Sequence, residues 1–155
     1  MTPLFTKLNL GAHRSLLVLN APASFEPELA ALQGVTLHRS PPASTVAFAL
    51  AFAQTLAQRD TFSAQLAQAT QGDAVVWLAY PKGSSKHLRC EFTRDSGWAI
   101  LGAAGFEPVR QVAVDEDWSA LRFRRAEFIK TLVRHPDGAE SSLGRVRALA
   151  AKAKL

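Results

Sequence analysis

Between Lys82 and Arg89 the chain places Lys82, Ser84, Ser85, Lys86, His87 and Arg89 within eight positions, and Gly83 lets the backbone turn closely among them. Cationic and hydroxyl donors at that density suit a phosphate, sulfate or carboxylate group. Arg94 follows just before a segment that reads as a helix, whose N-terminus would add amide donors and the positive end of a dipole. Tyr80 immediately precedes this loop, and Asn20 ends an earlier apolar run, so both are placed at the ends of predicted strands. A Walker-type phosphate loop is excluded, because Pro81-Lys82-Gly83-Ser84-Ser85 lacks its glycine spacing. The plain alternative is a solvated surface loop, with Arg94-Asp95 as a structural pair near a helix cap.

Other chemistry is sparse. His13, His38, His87 and His135 fall in four separate segments without metal-ligand spacing, and a single cysteine, Cys90, can form neither an internal disulfide nor a multi-cysteine metal site. Cys90 with His87 three positions away could make a nucleophile pair, although a lone cysteine is more often a packing residue. Ser84 and Ser85 lack a Gly-x-Ser-x-Gly elbow. Asp115-Glu116-Asp117 could attract a divalent ion, but adjacent acids between two strands also read as turn formers that keep a sheet edge soluble. Trp77, Trp98 and Trp118 read as core or sheet-face residues. No metal and no cofactor is expected.

The loop needs a frame, and apolar runs supply one. Ser15 to Asn20, Val35 to His38, Val46 to Ala53 and Ala74 to Tyr80 read as strands buried on both faces, the third being alanine-rich enough to be mistaken for a helix. Helical spacing joins them, with Leu29 and Leu32 before Gly34, and Phe62, Leu66 and Ala69 before Gly72. A further helix capped by Thr93 or Asp95 carries Trp98, Ile100 and Leu101 and ends at Gly105. Val109 to Val114 and Ala120 to Arg124 flank the acidic turn as an antiparallel pair. Two C-terminal helices follow, Ala126 to Val133 and, after His135-Pro136-Asp137-Gly138, Leu143 to Lys154. The pattern predicts a three-layer Rossmann-like α/β fold, with a mostly parallel sheet of six strands in the order 2-1-3-4-6-5 and an antiparallel edge strand. Residues 1–134 would form this domain, and residues 135–155 a basic C-terminal helix packed on it or on a neighbouring subunit. A switch point between strands 1 and 3 would place a ligand at the carboxyl ends of strands 1, 3 and 4.

A chain of 155 residues suits one domain. The longest apolar run is far short of the roughly 20 residues of a membrane span, and the N-terminal residues do not resemble a signal peptide, so the expectation is a cytoplasmic protein without membrane contact. The net charge of +5 belongs entirely to the second half: residues 1–79 hold four basic and four acidic residues, and residues 80–155 hold fourteen and nine. That asymmetry is compatible with a polyanionic partner and equally with ordinary solubility.

Several stretches carry a resemblance. Leu19 to Pro22, then VVWLAYPKGSSK, TRDSGW and VDEDWSALRFRRAEF, resemble a family of small bacterial proteins known only as a domain of unknown function, over about residues 15–130. The resemblance implies a shortened Rossmann-like domain similar in outline to class I methyltransferases, and it implies no activity. The nucleotide-binding anchors of that outline are missing. The first βα turn, Asn20-Ala21-Pro22-Ala23, has no glycine, and its proline removes an amide donor. The second strand ends in His38-Arg39, where an acid would hold ribose hydroxyls.

Two function classes follow, with a third behind them. The first is a non-catalytic binding or regulatory domain recognising a small anionic group through Asn20, Tyr80, Lys82, Ser84, Ser85 and Arg94. The second is an enzyme, a diverged methyltransferase-like transferase. The third is a nucleic-acid adaptor using the basic second half. A homo-oligomer is compatible with all three.

Overall fold

The computed structural model describes residues 2–95 and 97–129. Ten elements follow in order: α1 (Pro3–Lys7), β1 (Ser15–Leu19), α2 (Glu26–Ala30), β2 (Thr36–His38), β3 (Val46–Phe52), α3 (Leu56–Ala69), β4 (Thr70–Pro81), α4 (Ala99–Ala103), β5 (Phe106–Ala113) and β6 (Trp118–Arg125). Short 3-10 turns lead into α2 (Ala23–Phe25) and follow β6 (Ala126–Phe128).

The six strands make one sheet in the order β2-β1-β3-β4-β6-β5. The first four pair in parallel, β6 runs antiparallel to β4, and β5 closes the edge antiparallel to β6. The fold is therefore the expected Rossmann-like sheet, with helices on both faces. Strands buried on both sides explain the unbroken apolar runs, since alternate residues feed two separate cores. Leu17, Leu19, Ala49, Ala51, Val76, Leu78, Leu121 and Phe123 face α3 and α4. Leu16, Val18, Phe48, Leu50, Phe52, Val75 and Trp77 face α1 and the turn before α2. Val46–Phe52 is a strand despite its alanines; Ala49 and Ala51 are wholly buried against the α3 side, where small residues let the helix approach.

Several boundaries differ from the sequence reading. Residues 3–7 form α1, capped by the Thr2 hydroxyl accepting from the Phe5 amide at 3.2 Å. The turn after α1 is pinned to the sheet by Trp77, whose Nε1 donates to the Leu8 carbonyl at 2.7 Å. α3 begins at Leu56 behind a Thr55–Gln58 capping box. β4 starts at Thr70, and Gly72 lies inside it at φ +61°, where the β3–β4 register shifts; this glycine makes a bulge, not a helix stop. Neither Thr93 nor Asp95 caps α4, which starts at Ala99: the Thr93 hydroxyl accepts from the Asp95 amide instead. Trp98 and Leu101 are buried there, whereas Ile100 is exposed. The expected helix from Ala126 to Val133 is a 3-10 turn at Ala126–Phe128 followed by extended Ile129; its last residues, and the helix expected over 143–154, lie outside the described residues.

Candidate functional site

The loop from Lys82 to Arg94 is held at both ends by the frame. At its start, the Lys82 amide donates to the Asp117 carbonyl at 2.7 Å, and the Ser85 hydroxyl donates to the Asp117 carboxylate at 2.8 Å. The same hydroxyl accepts from the amides of His87 and Leu88, so Ser85 organises the turn. Further on, the Glu91 carboxylate accepts from the Leu56 amide at 2.8 Å and so caps α3, while the Glu91 amide donates to the Gln54 carbonyl. Phe92 is buried against Tyr80 and edge-on to Trp98, with ring centroids 5.7 Å apart in both cases. The Trp98 indole donates to the Arg94 carbonyl at 2.9 Å. A loop tied down this often holds its backbone in a fixed course.

That arrangement encloses a cavity of about 810 Å³ on the α3/α4 side of the sheet, outside the carboxyl end of β4. Tyr80, Phe92 and Ser119 form its buried floor, and Lys82, Lys86, Arg89 and Arg94 stand at its mouth. Arg94 reaches across to Gln111 of β5, donating at 3.3 Å. No carboxylate lines the cavity among the described residues. Glu91, the acid within the loop, is directed to the start of α3, and Asp117 is spent on Ser85. Four cations around one concavity, with no carboxylate among its lining residues, raise the local potential for anions.

Of the candidate residues, Tyr80, Lys82, Ser84, Ser85 and Arg94 all line this cavity; Asn20 does not. Asn20 sits in the left-handed region at φ +59° and its side-chain amide donates to the Phe52 carbonyl at 2.9 Å, tying the ends of β1 and β3 together. The cavity therefore lies beside β4 and β6, not at the switch point between β1 and β3. Gln111, Ser119 and Phe92 were not among the sequence candidates. The strand register brings the first two in: Ser119 is the cross-strand partner of Tyr80.

The Tyr80 hydroxyl is buried and has no hydrogen-bond partner among the described residues. Burial pushes it above its ordinary value, the Arg94 charge opposing and Cys90 and Asp95 adding to the rise. Burial also pushes the Cys90 thiol up, opposite to the lowering that activates a nucleophilic cysteine. The acidic turn is structural: the Asp115 carboxylate accepts from the amides of Asp117 and Trp118 at 2.8 and 2.9 Å. No group of three or more metal-ligating side chains occurs among the described residues, and no helix there is long and apolar enough to cross a membrane.

The turn after β1 and the end of β2, the two places singled out in the sequence for a nucleotide or S-adenosylmethionine, carry the following groups. Pro22 lies in the turn after β1, and Phe25 follows it, its ring tilted against Phe52 at 4.9 Å, which in turn meets Trp118 edge-on at 5.2 Å. All three rings are buried. At the end of β2, Arg39 makes a bidentate pair with Glu26 at 2.6 and 2.8 Å, where ribose hydroxyls would need an acceptor.

No protein-family model matches the chain, and no curated protein sequence does. Solved structures with a similar outline include N-methyltransferase NodS from Bradyrhizobium japonicum WM9, at 12% identity and a TM-score of 0.46, over 77% of this chain and 91% of that one. They also include the pyocyanin biosynthetic protein PhzM, at 14% identity and a TM-score of 0.46, over 79% of this chain and 54% of that one. LepI in complex with S-adenosylmethionine matches at 15% identity and a TM-score of 0.43, over 80% of this chain and 47% of that one.

Proposed function

We propose that this protein is a binding or regulatory domain that keeps a Rossmann-like frame and recognises a small anionic group at the carboxyl end of β4. The observation that carries the proposal is the cavity of about 810 Å³ with Lys82, Lys86, Arg89 and Arg94 at its mouth and no lining carboxylate among the described residues. Lys82 and Arg94 supply the charge, and Ser84 adds a hydroxyl donor beside them; Ser85 shapes the turn. Asn20 has a structural part only. In this reading the chain stands with the small bacterial proteins of unassigned activity whose Tyr-Pro-Lys turn and Trp-Ser-x-Leu-Arg-Phe strand it resembles.

Thermal melts with inorganic phosphate, acetyl phosphate and nucleoside phosphates test the proposal. A ligand at one hundred times its Kd stabilises by about 2.7 kcal/mol, a shift that melts resolve easily. The shift should weaken with salt and vanish in the double variant Lys82→Ala/Arg94→Ala. Unchanged melting with every anion would remove the site.

A diverged transferase is the second reading. The outline of the sheet supports it. The glycine-free turn at Asn20-Ala21-Pro22 and the paired Arg39 count against S-adenosylmethionine as its cofactor. Mass spectrometry of the purified protein decides: copurifying S-adenosylmethionine would promote the transferase reading.

A further inference from the structure

If the mouth binds an anion, as proposed above, the floor decides what else the ligand carries. Charge and burial are arranged asymmetrically in this cavity. The cations stand at the exposed rim, whereas Tyr80 and Phe92, 5% and 4% exposed, lie beneath with their rings 5.7 Å apart. Half-buried Leu88 and Cys90 complete an apolar wall. A bare inorganic anion would use the rim and leave this wall wet. Below the rim the Tyr80 hydroxyl is buried and without a hydrogen-bond partner among the described residues. Buried hydroxyls are nearly always paired, and a site built around a ligand's polar atom holds such a donor ready for it. The hydroxyl is neutral, since burial holds its proton on, so it offers O–H to an acceptor. Above it, exposed Arg94 contacts Gln111 at 3.3 Å, a long bond that an anion at the mouth would replace with a shorter, charge-assisted one.

We infer that the cavity takes a small amphipathic anion: a phosphate or carboxylate held at the mouth by Lys82 and Arg94, a flat apolar body over Phe92 and Tyr80, and an uncharged oxygen or nitrogen acceptor that receives the Tyr80 hydroxyl as Arg94 turns to the anion. Tyr80 is thus the residue that discriminates among anions of similar charge.

Calorimetric titration of the protein and of Tyr80→Phe with three probes tests this: inorganic phosphate, phenyl phosphate and 4-acetylphenyl phosphate. In the parent protein, affinity should rise about tenfold from the first probe to the second, through apolar burial. It should rise again, by about three- to tenfold, from the second to the third, through the hydroxyl. Tyr80→Phe should keep the first rise, lose the second, and melt no lower than the parent, because it deletes an unpaired group; a hydroxyl with a structural role would lower the melting temperature instead. Equal affinities for the three probes, no gain from the acetyl group, or an acetyl gain that survives in Tyr80→Phe would overturn the inference and leave the anion-binding mouth standing. Absence of binding by all three would overturn both.

Discussion

Arg125 offers the sharpest test of how the frame under the cavity is held. At the end of β6 its guanidinium donates to the carbonyls of Gly72 and Thr70 at 2.9 Å and of Ala67 at 3.3 Å, and it lies 4.4 Å above the Phe106 ring. Two of those acceptors, Ala67 and Thr70, belong to the last turn and C-cap of α3, whose carbonyls have no partners within the helix. One residue thereby joins the end of a helix, the bulge at Gly72 and the β5 edge. Replacing it with alanine removes a cation at a helix C-terminus, worth about 1 kcal/mol, and a cation–π contact worth about 1 kcal/mol. The lost hydrogen bonds add about 1 kcal/mol more, because the freed carbonyls regain water and burial of the charge, which lowers the Arg125 pKa, is relieved. Arg125→Ala should therefore lose about 3 kcal/mol, or about 9 °C in Tm for a domain of this size. Urea unfolding at 25 °C should show the midpoint falling with an unchanged slope.

Arg125→Lys separates charge from geometry. An ammonium can reach one or two of the three carbonyls and cannot lie flat on Phe106, so it should recover about 1 kcal/mol. Because salt screens the helix-terminus contribution but not the hydrogen bonds to neutral carbonyls, raising salt should narrow the difference between parent and variant by at most about 1 kcal/mol. A loss below about 1 kcal/mol in the alanine variant, or full recovery by lysine, would refute this account of the β6–α3 junction.

Arg122 behaves in the opposite sense. It is the cross-strand partner of Arg110, its Nε is buried without a partner among the described residues, and burial followed by the Arg124 charge lowers its pKa. Arg122→Met should be neutral or stabilising by up to about 1 kcal/mol in the same urea assay, since like charges opposed across strands destabilise. Asp73 gives a pH test. The Arg124 guanidinium, bonded at 2.7 and 2.8 Å, holds its carboxyl below the ordinary value of 3.8. A depressed acid stabilises the fold above its unfolded pKa, and that contribution is lost as pH falls through the folded value. The stability gap between the protein and Asp73→Asn should accordingly be full at pH 7, shrink once the pH falls below the ordinary carboxyl value of 3.8, and close as it passes through the lowered folded value.

Much of the frame was legible because this sheet is buried on both faces. Its strands are uninterrupted apolar runs, and right-handed crossovers leave few ways to order them. Errors arose where one residue type serves two local structures. Gly72 suits a helix stop and a bulge equally, and only the offset between Val46 and Thr70 in the β3–β4 register distinguishes them. Thr93 and Asp95 suit a cap, but here the threonine hydroxyl takes the Asp95 amide, and α4 starts behind Trp98 with no side-chain cap at all. In the site, the loop residues announced themselves by charge and spacing. Ser119 and Gln111 did not, because their place depends on strand pairing. Asn20 misled in the other direction: a polar side chain at a strand end is open to a ligand only when the backbone does not use it, and the Phe52 carbonyl does.

The position of the cavity follows from the one strand that runs against the others. In a wholly parallel sheet, the groups near the carboxyl end of β4 would come from neighbouring strand ends and the loops beyond them. β6 is antiparallel, so its first residues, Trp118 and Ser119, lie opposite Pro81 and Tyr80 at that end. The turn before β6 arrives there as well and brings Asp117, whose carbonyl and carboxylate fasten Lys82 and Ser85. On the opposite face the same strand start contributes Trp118 to the aromatic packing with Phe52 and Phe25. One antiparallel strand thus contributes to the aromatic packing on one side of the sheet and supports a polar cavity on the other. The basic loop then has a floor to close over, which a surface loop rich in lysine and arginine otherwise lacks.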